Sequence, residues 1–154
     1  MSGTGYSNER NCVRQIHQEI PNFEVLVILF TRSFQDAMKK IYYLSSCSTC
    51  SRIIKELGIS ENSFEMQDIK TEKISPAQLD EMKKLSGSFE SLFSRVALKY
   101  KALGLDKMTL AEADYRQYIL NEYTFLKRPV ILAGRKIFVG NSKNTVAAAK
   151  AELQ

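Results

Sequence analysis

Histidine is nearly missing from this chain, because His17 is the only one among its 154 residues. Histidine titrates nearest to neutral pH, so without a suitable one, general acid or base catalysis by histidine is not expected. Cysteine is scarce as well, with only Cys12, Cys47 and Cys50 present. A structural zinc site usually needs four ligands, and only Cys12 and His17 could add a thiol or an imidazole to Cys47 and Cys50. Their surroundings have no other feature of a metal site, so we expect no bound metal.

Long apolar runs are missing too. The best one, Val25 to Phe30, is far shorter than the ~20 residues that a membrane-spanning helix needs. It imitates the apolar core of a signal peptide, but Glu9, Glu19 and Glu24 precede it and no small-residue cleavage site follows. No glycine-rich phosphate-binding loop occurs, so no bound organic cofactor is expected. We therefore expect a cytoplasmic protein that does not contact a membrane.

The overall composition is that of an ordinary globular protein. Hydrophobic residues make up 44% and charged residues 25% of the chain, which suits one compact domain and would crowd two. The formal net charge is +5, but the basic residues are scattered and often lie beside acids, as in "KTEKIS". This mild basic bias permits an anionic partner, and direct binding of nucleic acid is not expected.

The first 37 residues differ from the rest of the chain. Their start is small and polar, and they contain a short predicted helix over 13–20 and a predicted strand over 25–30. The stretch "MKKIYYL", from Met38, resembles a gene start that continues into a first strand. We expect residues 1–37 to be an N-terminal extension that is disordered or not part of the native domain, and residues 38–154 to form the working domain.

Predicted strands and helices alternate after Met38. Lys40 to Leu44 and Ser63 to Gln67 are expected to be strands, and a helix from Ser51 to Leu57 between them should stop at Gly58. Another helix should start at Pro76, with Leu79, Met82 and Leu85 on one face. Short helical pieces are expected from Phe89 to Gly104, followed by a helix capped by Thr109. A hairpin in "PVILAGRKIFVG" and a helix from Ser142 to Leu153 end the chain.

The order of these elements predicts the fold. A strand–helix–strand start favours a parallel pair of strands, and the hairpin adds antiparallel strands. We therefore predict an α/β fold, namely a thioredoxin-like mixed four-stranded sheet with flanking helices and a helical insertion in the middle.

The most informative stretch is "SSCSTCSR", which places Cys47 and Cys50 between the first strand and the helix after it. Free N–H groups and the positive end of the helix dipole favour a thiolate there, and such positions can lower a cysteine pKa to ~3.5–7.5. A thiolate is the nucleophile in disulfide exchange, and Cys50, one turn later, could attack a mixed disulfide on Cys47. The pattern predicts a nucleophile and a resolving thiol, with Ser48 and Thr49 beside them as substrate-binding residues.

A simpler interpretation is that both cysteines are buried and act as small hydrophobic residues. The polar neighbours Ser45, Ser46, Ser48 and Thr49 make an apolar environment for the whole stretch unfavourable. In a reducing cytosol, a CxxC motif is more often redox-active or metal-binding than structural. Redox chemistry is therefore the preferred interpretation.

"YYLSSCSTCSRIIKELG" together with "FLKRPVILAGRKIFVG" resembles the ArsC/Spx family of arsenate reductase-like proteins and redox regulators, and the likeness extends over residues 38–154. The resemblance implies that Cys47 is the catalytic nucleophile. It also implies that Arg128 and Pro129 form the family's "RP" step, in which the proline is cis and lies near the cysteine. Arg128 would then offer a planar cation to an oxyanion or to the thiolate, with Pro129 beside the substrate.

The sequence departs from the pattern of the glutaredoxin-linked arsenate reductases, which use three arginines around the oxyanion. Of these only Arg128 matches. Ser94 occupies the first position, with Arg95 next to it and expected to point elsewhere on a helix, and Gly140 occupies the third, as in Spx-like proteins. Charge-assisted contacts are commonly worth ~1.5–3 kcal/mol each, so direct arsenate reduction is disfavoured. Lys127, beside Arg128, is expected to be solvated.

Two functions follow from the resemblance. The first is an arsenate reductase-like thiol–disulfide oxidoreductase that uses the Cys47/Cys50 pair, with glutathione, thioredoxin or glutaredoxin as electron donor. The alternative is an Spx-like redox sensor, in which formation of the disulfide changes how the protein docks to RNA polymerase.

Overall fold

The computed structural model describes residues 39–154, and these contain one mixed sheet of four strands. The strands are β1 (Lys39–Tyr43), β2 (Glu65–Asp68), β3 (Val130–Ala133) and β4 (Lys136–Val139), in the order β2-β1-β3-β4. β1 pairs in parallel with β2 and antiparallel with β3, and β3 pairs antiparallel with β4. The predicted thioredoxin-like mixed sheet is confirmed.

Helices cover the sheet and fill the connection between β2 and β3. They are α1 (Ser48–Leu57), α2 (Pro76–Ser86), α3 (Phe89–Leu92), α4 (Leu98–Ala102), α5 (Glu112–Asn121) and α6 (Lys143–Leu153), with 3-10 turns at Leu105–Lys107 and Tyr123–Phe125. The predicted helical insertion therefore consists of α2 to α5, with only short helical pieces in its middle, as expected. No helix within residues 39–154 is long and apolar enough to cross a membrane.

Local sequence signals explain where the two helices nearest β1 and β2 begin and end. α1 ends at Gly58, which takes up the left-handed conformation (φ 65°) that glycine tolerates without steric cost. α2 begins with a capping box, because the Ser75 hydroxyl accepts from the N–H of Gln78 and the Gln78 side chain accepts from the N–H of Ser75. Pro76 follows at the first helical position, where it loses no hydrogen bond.

The structure differs from the prediction at the starts of β2 and α5 and in the burial of Leu85. β2 begins at Glu65 and not at Ser63, because the N–H groups of Ser63 and Phe64 both bond to the carbonyl of Ser60 in a tight turn. α5 is not capped by Thr109: it starts after Ala111, whose N–H donates to the Asp114 carboxylate at 2.8 Å. Leu85 is 36% exposed, although Leu79 and Met82, which were predicted on the same face of α2, are buried.

The core consists of two apolar clusters, one on each face of the sheet. On one face, Ile41 and Ile131 pack with Ile53 of α1 and Val146 of α6. On the other face, Tyr42, Val130 and Leu132 pack against the helical insertion. This alternation is the period-two pattern of a strand that is buried on both sides.

An aromatic group holds the helical insertion together. Phe93 stacks on Phe125, with ring centroids 5.0 Å apart and planes 14° apart. Tyr115 packs 5.0 Å from Phe93 in a tilted arrangement, and Tyr100 meets it edge-on at 5.9 Å. Phe93 and Phe125 are each 1% exposed, so the group is a buried centre that fixes the loops on either side of it.

The predicted extension, residues 1–37, lies outside the described residues, and so do the short helix and strand expected in it. Cys12 and His17 fall in the same range. The zinc alternative that depends on them is therefore not addressed by the structure.

Candidate active site

Cys47 lies at the point where the chain leaves β1 and enters α1. Its N–H donates to the carbonyl of Leu44 at 3.0 Å, and its own carbonyl accepts from the N–H of Ser51 at 3.1 Å. Cys47 is thus the N-cap residue of α1, with extended backbone angles of φ −97° and ψ 110°. A tight turn at Ser45 and Ser46 precedes Cys47 and the helix follows it, so the sulfur lies at the N-terminus of α1, as the sequence predicted.

Several groups around Cys47 favour its thiolate. Burial alone would raise the pKa of the thiol, but the backbone N–H and thiol of Cys50, the N–H of Thr49 and the charge of Arg128 outweigh it, so the pKa lies below its ordinary value. The sulfur forms no cap hydrogen bond of ordinary geometry. The N–H groups therefore act as nearby donors at the positive end of the helix dipole, and they stabilise the negative charge of the thiolate.

Cys50 has the opposite environment, although it lies only one turn further along the helix. Its side chain is 0% exposed. Burial first, and then the negative charge of Cys47 and the hydrogen bond between the two side chains, raise the pKa of its thiol to about 11, against hydrogen bonding from the backbone of Leu44 and the charge of Arg128. Both cysteines are free thiols. The pair therefore combines an accessible sulfur that ionises easily with a protected one that does not.

A surface cavity of ≈ 660 Å³ opens beside the Cys47 sulfur. Its walls are formed by Cys47 and Thr49 from the start of α1, by side chains of the segment 88–96, by Lys127 and Arg128 before β3, and by Gly140 and Asn141 after β4. The sheet brings Cys47 and Arg128 together, because β1 and β3 are antiparallel neighbours. The end of β1 that leads to Cys47 lies beside the start of β3 that follows Arg128.

Arg128 contributes a positive charge to this cavity. Among the ion pairs of residues 39–154, none involves Arg128. Its peptide bond to Pro129 is cis, as the resemblance implied. The carbonyl of Pro129 accepts from the N–H of Gly140 at 2.8 Å, which links the start of β3 to the end of β4. Arg128 is therefore held beside the thiol with its guanidinium available to an anion.

The structure brings together most, but not all, of the predicted site residues. Cys47, Thr49 and Arg128 line the cavity. Cys50 lies behind Cys47 in the interior. Ser48 is exposed and outside the cavity wall, and Pro129 is buried and does not line it either. Any contribution of Pro129 is therefore made through the backbone that carries Arg128.

Two further cations line the cavity, and sequence reasoning assigned neither to the site. The Lys127 ammonium, expected to be solvated, donates to the carbonyl of Ser91 at 2.8 Å. Arg95, expected on a helix, lies instead in a turn, where it bonds to Glu90 at 2.5 Å and to the Tyr115 hydroxyl at 3.2 Å. Lys127 could have been noticed from its place directly before Arg128, whereas the position of Arg95 depends on contacts distant in sequence.

The two positions that the resemblance compares with arginines also line the cavity. Ser94 is buried, with its N–H bonded to the carbonyl of Phe125 at 2.7 Å. Gly140 has φ 89°, and a Cβ built there meets no atom within 4 Å. Neither position supplies a cation. Within residues 39–154 there is also no group of three or more histidine, cysteine, aspartate or glutamate side chains arranged to hold a metal.

A cysteine of lowered pKa at the N-terminus of the first helix of a mixed four-stranded sheet, with an arginine and a cis proline before the third strand, defines a thioredoxin-like protein of the arsenate reductase type. The ArsC family model matches residues 42–149, and the chain belongs to the ArsC family. This membership supports a thiol-dependent, oxidoreductase-like class of chemistry.

Solved structures of the same type agree on the fold. An arsenate reductase from Vibrio cholerae superimposes with a TM-score of 0.62 at 16% identity, covering 73% of this chain and 98% of its own. An ArsC family related protein from Bacteroides fragilis gives 0.59 at 24% identity, with 73% and 98% covered. An arsenate reductase related protein from Brucella melitensis gives 0.56 at 24%, with 72% and 92% covered. No curated protein matches the chain significantly by sequence.

Proposed function

We propose that the protein is a thiol–disulfide oxidoreductase in which Cys47 is the nucleophile, Cys50 the resolving thiol and Arg128 the cation that stabilises negative charge. The observation that carries this proposal is the pair of opposite environments one helical turn apart. Cys47 lines an open cavity with a lowered pKa, and Cys50 is 0% exposed with a raised one.

In the first step the Cys47 thiolate attacks one sulfur of a substrate disulfide. A bond forms between Cys47 Sγ and that sulfur, the substrate S–S bond breaks, and the electron pair leaves with the second sulfur as a thiolate. Arg128 lies beside the reacting sulfur and stabilises the negative charge that is shared along the line of three sulfurs.

In the second step Cys50 loses its proton to water and attacks Cys47 Sγ, so that the bond between Cys47 and the substrate breaks and the first substrate sulfur leaves as a thiolate. Cys47 raises the pKa of Cys50 in two ways, through the charge of its thiolate and through the hydrogen bond between the two side chains. Both vanish once Cys47 is part of a mixed disulfide, whereas the charge of Arg128 continues to lower the pKa. The substrate gains two electrons, the protein ends as a Cys47–Cys50 disulfide, and a thiol donor such as glutathione, thioredoxin or glutaredoxin reduces it again.

Direct reduction of arsenate is disfavoured by the same geometry. Of the three arginine positions that the resemblance suggests, Ser94 and Gly140 bring no charge to the cavity. Arg95 lines the cavity but is already bonded to Glu90. Each missing charge-assisted contact to the oxyanion is worth about 1.5–3 kcal/mol, so we expect arsenate turnover to be negligible beside disulfide turnover.

The experiment that tests the proposal is a turnover assay with a matched pair of variants. Purified protein with glutathione and glutathione reductase is offered a small disulfide, and consumption of NADPH is followed. Wild type should turn over and Cys47→Ser should not. With the disulfide alone and no glutathione, Cys50→Ser should stall as a mixed disulfide whose mass equals protein plus one substrate half. Wild type without turnover on any disulfide, or Cys47→Ser with undiminished turnover, would contradict the proposal.

The second candidate is an Spx-like redox sensor, and Gly140 in the cavity wall is the observation that favours it. In this alternative the Cys47–Cys50 disulfide forms under oxidation and changes docking to RNA polymerase, without catalytic turnover. Retention of RNA polymerase on the immobilised protein is compared between the oxidised and reduced forms, with Cys50→Ser as the control that cannot close the disulfide. Redox-dependent retention without turnover would favour the sensor.

A further inference from the structure

Two apolar side chains near the Cys47 cavity in the chain, Val96 in its wall and Leu98 two residues later, are almost fully exposed. Val96 and Leu98 are each 93% exposed, and Val96 forms part of the cavity wall. Leu98 is the first residue of α4, and no residue of that helix is buried. Contiguous apolar surface that is exposed and rimmed by polar residues commonly marks a site of protein–protein contact.

The charges around these two residues indicate what kind of partner fits. Arg95, Lys99 and Lys101 lie in the same stretch of chain, which we call the rim segment and define as residues 95–101. Arg95 is paired with Glu90 and Lys99 with Glu122. Lys101 is exposed and joins no ion pair among the residues that the structure describes. Lys127 and Arg128 also line the cavity, and its one carboxylate, that of Glu90, is paired with Arg95, so the excess positive charge attracts an acidic surface.

We propose that the rim segment is a docking surface for a protein disulfide, one whose cysteine is flanked by an apolar residue and by acidic side chains. The proposal rests on the proposed function, because it names the substrate class of the same site. A polypeptide whose sulfur reaches Cys47 through the open cavity passes Val96, and its neighbouring residues then reach Leu98 and Lys101. A small disulfide fits within the cavity and has no need of Leu98.

The test uses short synthetic peptides in which a single cysteine is activated as a mixed disulfide with thionitrobenzoate. Attack by the Cys47 thiolate on the peptide sulfur forms a Cys47–peptide disulfide and breaks the bond to thionitrobenzoate, which leaves as a coloured thiolate. One peptide has leucine beside the cysteine and glutamates further out, and the other has serine and lysines. Cysteine activated in the same way, without a peptide, is the small reference compound.

The expected result is a preference that depends on the rim. Wild type should react about tenfold faster with the acidic apolar peptide than with the basic polar one, because both apolar burial and charge favour the first. The double variant Val96→Ser/Leu98→Ser should lose most of that preference, measured as the ratio of peptide rate to reference rate. Lys101→Glu should lose its charge-dependent part, and high salt should do the same in wild type.

The matched control is Leu103→Ser/Met108→Ser. These side chains are 55% and 56% exposed and lie outside the cavity wall, so their removal should leave the preference intact. All four substitutions fall on exposed side chains, so the variants are expected to fold. Equal rates for the two peptides in wild type would overturn the proposal, and so would an undiminished preference in Val96→Ser/Leu98→Ser.

A binding measurement separates failure of docking from failure of the chemistry. A fluorescent acidic peptide with serine in place of cysteine cannot react, and its anisotropy reports binding alone. Weaker binding to Val96→Ser/Leu98→Ser than to wild type supports the docking surface even if no thionitrobenzoate is released. Binding of equal strength to both proteins overturns it even if Cys47 proves to be reactive.

Discussion

Cys47 and Cys50 lie one helical turn apart, and their pKa values are shifted in opposite directions by the same helix. The start of the helix presents N–H groups to Cys47, whereas the first turn carries Cys50 into a site that is 0% exposed. Burial disfavours a charge, and nearby donors favour it, so neighbouring residues of one type acquire different chemistry. The proposed division into an attacking and a resolving thiol rests on this arrangement.

We predict that iodoacetamide modifies Cys47 selectively and Cys50 hardly at all. In a Cys12→Ser background, the rate at neutral pH should exceed that of the same chain unfolded in denaturant. Because the pKa of Cys47 is lowered, its rate should fall only when the pH drops below that pKa, at a lower pH than for the unfolded chain. Cys50→Ser should keep the fast reaction and Cys47→Ser should lose it. Mass spectrometry of tryptic fragments identifies the modified residue; preferential labelling of Cys50 would contradict the assignment.

Arg128→Gln should raise the pKa of Cys47 and lower its alkylation rate at neutral pH. The guanidinium charge is one of the causes that lower that pKa, and glutamine keeps much of the volume without the charge. Since a stabilised thiolate favours the reduced form, the variant should also make the Cys47–Cys50 disulfide harder to reduce. Arg52→Gln is the control, because Arg52 lies on α1, the helix that Cys47 caps. Its side chain is 62% exposed and pairs with Glu56 outside the cavity. Identical pH profiles for the two variants would refute the role of Arg128.

Phe125→Ala should destabilise the protein by about 3–5 kcal/mol, as is common for truncation of a buried aromatic residue. Phe125 is 1% exposed and stacks on Phe93, which also lines the cavity. Phe125→Leu restores part of the volume and should cost markedly less. Urea unfolding followed by circular dichroism gives the free energy of each variant. A loss below about 1 kcal/mol for the alanine variant would mean that the aromatic group does not hold the insertion in place.

The parts of the site that could be predicted from the sequence are those fixed by neighbours along the chain. Cys47 follows a strand and caps a helix that carries Cys50 in its first turn and stops at a glycine, and each of these signals is local. The hairpin after Pro129 is local too. The cis bond before Pro129 was expected from the resemblance and not from the residues alone. Local signals thus placed the sulfur, and the family pattern placed the arginine.

The parts that could not be predicted depend on contacts between distant segments. Lys127 bonds to Ser91, 36 residues earlier, and this contact turns its ammonium from solvent to the cavity wall. Arg95 leaves the helical path because Ser94 bonds to Phe125 and ends the regular structure there. The rim position of Val96 is a consequence of the same turn. No periodicity in the sequence records such pairings, since each is decided by how the insertion packs on the sheet.

The shortened chain Met38–Gln154 should fold cooperatively and keep the reactivity of Cys47. The described part of the chain, residues 39–154, already holds a four-stranded sheet, two apolar clusters and the cavity beside Cys47, and the family match spans 42–149. Urea unfolding should give a single transition in the shortened chain, and the pH profile of iodoacetamide labelling at Cys47 should overlay that of the full chain with Cys12→Ser. A second shortened chain that begins at Tyr42 is the control, because it removes the part of β1 that pairs with Glu65 and Ala133 and should be destabilised. If the chain from Met38 aggregates or labels slowly while the full chain does not, residues 1–37 are part of the working domain.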